Sequence, residues 1–297
     1  MKSTNHCEWF LQLPLLLLLL FCCCSPAAGQ QPHTLTGDIR VHKQFHSQFL
    51  ANDRDVLVYL PPQYKSAKRS RFPVLYLHDG QNLFDGATSF IPGKEWRVDE
   101  TVEALIAAGK IEPLIIVGIY NAGKERINEY TPAEDPKYKM GGKADLYGRM
   151  LVEELKPFID RTYRTRRSAK DTGVGGSSLG GILSIYLALK YPHVFGKAAV
   201  VSPSVWFANQ YIVGFVNQLP QQPAVRIWMD IGTREGSDAE APQTVKGAQL
   251  LYETLLRKGW KPGRDLIYFE AKDAEHNETA WAARVEPVLK FLFPRGM

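Results

Sequence analysis

The chain has 297 residues, 45% of them hydrophobic and 23% charged, with a formal net charge of +5. That balance excludes a disordered or fibrous chain, and 24 glycines and 19 prolines without a period exclude a collagen-like one. The basic excess is too mild to suggest a nucleic-acid partner.

The first element in chain order is an apolar run from Leu13 to Phe21, preceded by Lys2 and followed by the small residues Ala27-Ala28-Gly29. This reads as a signal peptide over residues 1–29, and the run is short for a membrane span. All four cysteines (Cys7, Cys22, Cys23, Cys24) lie there. Phe21 and the neighbouring cysteines match a lipoprotein signal poorly. The expected product is a secreted or periplasmic protein with no stable membrane insertion, using neither disulfide nor thiol chemistry. No internal repeat or linker follows, so residues 33–297 are expected to form one domain.

Two alternating runs, Ile39 to Phe45 and Val56 to Leu60, predict an antiparallel hairpin on the edge of a sheet. The later runs Val74–Leu77, Leu114–Ile119, Ala198–Val201, Val225–Ile231 and Leu266–Phe269 are continuously apolar, as parallel strands covered on both faces must be. Helical periods lie between them: Val98, Val102, Leu105 and Ile106; Leu151, Leu155 and Ile159; Trp281, Val285, Val288, Leu289 and Leu292. The fold class is therefore α/β, a mainly parallel sheet with helices on both faces. Basic clusters at Lys65/Lys68/Arg69/Arg71 and Arg161/Arg164/Arg166/Arg167/Lys170 precede strands. They belong at the edge opposite the one where open α/β sheets bind ligands. Residues 121–143 show no sustained apolar period and follow a strand, which predicts a substrate-side loop.

The sharpest motif is Gly176-Ser177-Ser178-Leu179-Gly180, which fits G-x-S-x-G with a short strand before it and an apolar helix after it. Its glycines let the chain pass through a tight strand-to-helix corner and leave Ser178 exposed as a nucleophile. A phosphate-binding glycine loop cannot be threaded through the same residues. A serine needs a base. Six of the seven histidines precede Ser178 or come too soon after it, leaving His276, after the last strand. The acid belongs in the turn after Val225–Ile231, where Glu235 is favoured over Asp238 and Asp230. The oxyanion donors are expected to be the backbone N–H groups of Leu179 and of Gln81, the latter in the loop opened by Gly80. The scattered histidines offer no metal site, and no cofactor is expected.

Taken with Tyr76 to Asp85, Ser202-Pro203-Ser204-Val205-Trp206, Gly232-Thr233-Arg234-Glu235 and His276 to Trp281, the elbow motif makes residues 50–295 resemble the putative-esterase family of α/β-hydrolases. That family includes siderophore esterases, feruloyl esterase domains and mycolyltransferases. The resemblance implies an α/β-hydrolase fold, a small-molecule or carbohydrate ester as substrate, and Glu235 as the acid. It also implies Arg126 and Glu129 as substrate contacts, with Trp96 and Trp206 as candidates to line an acyl or aromatic pocket. Acyl transfer to a sugar or alcohol, or a binding module without catalysis, are the competing readings. Asn277-Glu278-Thr279 fits a glycosylation pattern, but a glycan there would cover His276, so the pattern is expected to go unused.

Overall fold

The computed structural model describes residues 32–296, so the expected signal peptide and all four cysteines lie outside the described residues. The strands are β1 (Asp38–Phe45), β2 (Arg54–Leu60), β3 (Val74–His78), β4 (Ile115–Ile119), β5 (Glu134–Asp135), β6 (Met140–Gly141), β7 (Thr172–Ser177), β8 (Lys197–Val201), β9 (Arg226–Gly232) and β10 (Leu266–Ala271). Eight of them build one sheet in the order β1-β2-β4-β3-β7-β8-β9-β10. β1 and β2 pair antiparallel, and β2 joins β4 antiparallel. From β4 to β10 every neighbour is parallel.

The parallel strands are apolar along their whole length because alternate side chains enter two different cores. Val74 and Tyr76 of β3 face one, packed with the helices Ala144–Arg149, Leu179–Lys190, Phe207–Gln218 and Ala241–Lys258. Leu75 and Leu77 face the other, under the helices Val98–Ala107 and Glu278–Leu292. The three helical faces expected from the sequence are all buried. The glycines of β7 bring its neighbours in close: a Cβ on Gly175 would lie 2.7 Å from that of Ala199 and 2.9 Å from Leu77.

The substrate-side loop is more ordered than its composition suggests. It holds the helix Arg126–Tyr130 and the small β5–β6 hairpin, pinned by the Asn128 side chain accepting from Gly141 N–H at 2.8 Å. Tyr130 is fully buried, against His78 and Tyr147 with ring centroids 5.4 Å apart in each case. Tyr130, an isolated aromatic without periodic partners, is thus one anchor of the segment.

Burial pushes the His78 imidazole down to about 3. The unfolded chain titrates this group near 6.5, so between about 6.5 and 3 the unfolded state binds the extra proton and stability falls as the pH falls. The expected loss by pH 4 is on the order of 3 kcal/mol. Tm should therefore drop more steeply from pH 7 to 4.5 in the wild type than in His78→Gln; equal slopes refute this assignment.

Candidate active site

Backbone strain concentrates at the carboxyl edge of the sheet. Of ten described non-glycine residues with positive φ, five come within two residues of a strand end there: Gln44 at the end of β1, Asp79 after β3, Ser178 after β7, Ser202 after β8 and Asp273 after β10. Such conformations cost about 1–3 kcal/mol each and persist where surrounding structure enforces them.

Ser178 has φ 60° and ψ −123°, between β7 and the helix Leu179–Lys190. Its N–H donates to Val201 at 3.1 Å and its carbonyl accepts from Ser204 N–H at 3.1 Å, which fixes the corner to the end of β8. The hydroxyl is partly exposed and lies 3.1 Å from the Ser204 hydroxyl. Both motif glycines face the β3 end: a Cβ on Gly176 would lie 3.1 Å from His78, and one on Gly180 3.4 Å from His78 and 3.5 Å from Asp79. Gly176→Ala is therefore expected to displace the corner and lower ester turnover at least about tenfold; full activity in an initial-rate assay would contradict this.

His276 and Glu235 meet because two turns are stitched together. Thr233 N–H donates to Ala271 and Arg234 N–H to Ala274, both at 3.0 Å, while Asp273 N–H donates to the Thr233 hydroxyl at 2.8 Å. A Cβ on Gly232 would fall 2.4 Å from the Ala274 carbonyl, so only glycine fits there. Glu235 is buried, and its Oε2 accepts from His276 Nδ1 at 2.8 Å. With Nδ1 carrying the hydrogen, Nε2 is left with its lone pair. The Glu235 Oε1 accepts from Gly232 N–H at 2.7 Å and from the Ser202 hydroxyl. Asp230 instead points into the protein and Asp238 is exposed, so Glu235 is the carboxylate on His276.

Gln81 sits in the single turn Gly80–Asn82, and Leu179 is the first residue of its helix, where N–H groups have no intrahelical acceptor. Gly80 must be glycine, since a Cβ would lie 2.6 Å from the Gly118 backbone. The turn is held from outside. Arg126 grips Asp79 through Nε and Nη2, both at 2.7 Å, and Asn121 donates to the same carboxylate at 2.7 Å. Burial raises the Asp79 carboxyl, but the Arg126 and Asn121 contacts outweigh it and leave it below its ordinary value. Asn82 donates to Glu278 at 3.2 Å, tying this turn to the helix that follows His276.

A family model described as "Putative esterase" matches residues 47–292. The chain belongs to this esterase family. It is thus a carboxylic ester hydrolase on a mixed α/β scaffold. Relatives include the uncharacterized protein YbbA of Bacillus subtilis, 28% identical over 257 residues, covering 84% of this chain and 96% of the relative. Another is an endo-1,4-beta-xylanase/feruloyl esterase of Xylanibacter ruminicola, 27% identical, covering 72% of this chain and 28% of the relative. Among solved structures, an IroE-like serine hydrolase from Shewanella oneidensis aligns with a TM-score of 0.70 at 19% identity, over 86% of this chain and 80% of that one.

Two expected substrate contacts of this esterase are buried, and a third is engaged within the chain. Glu129 is turned inward, 2% exposed, and takes two hydrogen bonds from the buried Arg54 at 2.8 and 3.1 Å. Removing either partner strands a buried charge, which costs about 3–5 kcal/mol. Arg126 spends its bidentate face on Asp79, so it braces the Gly80–Asn82 turn. Trp96 is buried against Trp281, with centroids 5.7 Å apart, and lines an interior cavity of about 20 Å³, room for about one water and no acyl group. Trp206 is different: it is half exposed, beside the exposed Tyr138 of the substrate-side loop at 6.1 Å.

Sequence reasoning noted Ser202 and Ser204 within a motif but gave them no role, and it passed over Arg284, a charge set on the apolar face that runs from Trp281 to Leu292. Among the described residues Glu95, Asp99 and Glu100 bring carboxylate oxygens within 4.8 Å of one another, on the Trp96 side of the sheet. No described helix is long and apolar enough to cross a membrane. Asn277 caps the helix Glu278–Leu292 by accepting from Ala280 N–H at 3.0 Å, so its side chain is already engaged.

Proposed function

We propose that this esterase is an exported serine hydrolase working through an acyl-enzyme. Ser178 Oγ attacks the ester carbonyl while His276 Nε2 takes its proton. Glu235 holds the Nδ1 hydrogen and offsets the imidazolium charge. The N–H groups of Leu179 and Gln81 receive the oxyanion. The proton then passes to the departing alkoxide, the alcohol leaves, and a water activated by the same imidazole releases the acid and frees Ser178. The observation carrying this reading is the 2.8 Å contact between the buried Glu235 and His276 Nδ1, with Glu235 accepting from Ser202, the residue after the Val201 that receives the N–H of the strained Ser178 corner.

The exposed pair Tyr138 and Trp206, the latter two residues beyond Ser204, favours an ester that carries a flat aromatic ring near the scissile carbonyl, on a carbohydrate or a siderophore scaffold. A screen across feruloylated and acetylated polysaccharide fragments, catecholate trilactones and simple acyl esters tests this, with Ser178→Ala as blank. Preference for the acetyl esters would overturn it. Trp206→Ala should lower kcat/KM for the aromatic ester about tenfold or more while leaving a small acetyl ester within about threefold. With an alcohol acceptor present, free acid is the expected main product; a dominant new ester would make the protein a transferase. Export predicts a mature N-terminus near Gln30 on sequencing, and an intact residue 1 in the exported protein would contradict it.

A further inference from the structure

Under the Glu235–His276 pair lies a second carboxylate that the proposed mechanism does not use. Asp230 of β9 is fully buried; its Oδ2 accepts from Trp228 Nε1 at 2.7 Å and its Oδ1 from Ser202 N–H at 3.2 Å. One cation serves both acids. Arg284, 3% exposed on the helix Glu278–Leu292, places Nη1 3.2 Å from Asp230 and Nη2 3.8 Å from Glu235. Nη2 also donates to the Ser202 hydroxyl at 2.9 Å, and Trp281 Nε1 donates to the same hydroxyl at 3.0 Å.

The hydrogen bonds have a direction. A hydroxyl that accepts from two donors has its own proton left for a third partner, and here that partner is Glu235. Glu235 therefore faces donors on every side: Gly232 N–H, the Ser202 hydroxyl and His276 Nδ1. A proton on it would find no acceptor. The charges can also be counted. With neutral His276 the buried group holds two carboxylates and one guanidinium; once His276 takes the Ser178 proton, the signs balance. Of the remaining charged groups, Glu278 lies close enough to His276 to interact electrostatically and is bonded to Asn82.

We propose that Arg284 is a positioning residue for ester hydrolysis. It holds Ser202 and Glu235 in the hydrogen-bonding sense that His276 needs, and Asp230 fixes Arg284 while leaving the cluster one positive charge short until the transition state supplies it. This rests on the assignment of Ser178, His276 and Glu235 given above. Burial pushes Asp230 up to about 6 against the pull of Arg284, as expected where two acids share one cation.

The test is the pH dependence of kcat and KM for a small activated ester. Without the guanidinium the two acids share a proton, so Arg284→Met should lose about 100-fold in kcat at pH 7, and its rising limb should move up by about one pH unit or more. KM should stay within about threefold. Asp230→Asn/Arg284→Met removes one charge of each sign and should recover at least about tenfold over Arg284→Met alone. Arg284→Lys, which keeps the charge, should retain the wild-type limb with a smaller loss. A limb unmoved in Arg284→Met, or a double variant no better than the single, overturns the proposal. Where Arg284→Met does not fold, Asp230→Asn is decisive: its limb should move to lower pH with reduced kcat, and an unchanged profile refutes the role. Activity surviving in Ser178→Ala would instead sink the underlying triad, so the two failures are distinguishable.

Discussion

Replacing Ser178 with alanine is expected to lower kcat for any ester the protein cleaves by about 10⁴ to 10⁶, leaving only what oxyanion binding supplies. The fold should survive. Among the described residues the hydroxyl makes one hydrogen bond, with Ser204 at 3.1 Å, while the backbone bonds to Val201 and from Ser204 stay in place. Tm should therefore change by no more than about 2–4 °C. Ser178→Gly gives a second reading: equally inactive, but relieved of the positive φ, it should be no less stable than Ser178→Ala, and more stable by about 1 kcal/mol if the strain is released in full. Activity within tenfold of wild type in either variant removes Ser178 from the chemistry.

Glu235→Gln is the second large effect. The new side chain keeps the size of the old one, yet it presents an amide with two donors to a pocket of donors: Gly232 N–H, the Ser202 hydroxyl and His276 Nδ1. If its NH₂ faces the imidazole, Nδ1 must become the acceptor. Nε2 then carries the hydrogen and cannot take one from Ser178. The expected loss in kcat is about 10⁴ with KM nearly unchanged. Asp238→Asn, changing an exposed carboxylate outside this pocket, should leave kcat within about twofold. Should the two variants behave in the opposite order, the acid has been assigned wrongly.

Much of this was legible in the chain. Continuous runs such as Ile115–Ile119 are diagnostic because a strand covered on both faces has no polar side to show, and the alternating β1 gave itself away as an edge. Order and spacing singled out Ser178 and His276, and the structure sets the first on a strained strand-to-helix corner and the second against Glu235. Long-range pairing was not legible. Glu129 looked like a substrate contact until Arg54, 75 residues earlier, was seen to meet it, and Trp96 looked like a pocket wall until Trp281 covered it. Arg126 was similarly captured by Asp79. A charged or aromatic residue in a loop carries no local mark of whether its partner is a ligand or another part of the chain. Arg284 failed in the opposite way: its position on an apolar helix face was visible, and it meant a buried ion pair.

The most direct test of the central claim, that position 178 holds the nucleophile, is labelling of the intact protein with a fluorophosphonate followed by peptide mass mapping. One stoichiometric adduct is expected, on the peptide containing Ser178, with loss of esterase activity in step with labelling and none in Glu235→Gln on the same timescale. An adduct on another serine, or full esterase activity with Ser178 unlabelled, would contradict it.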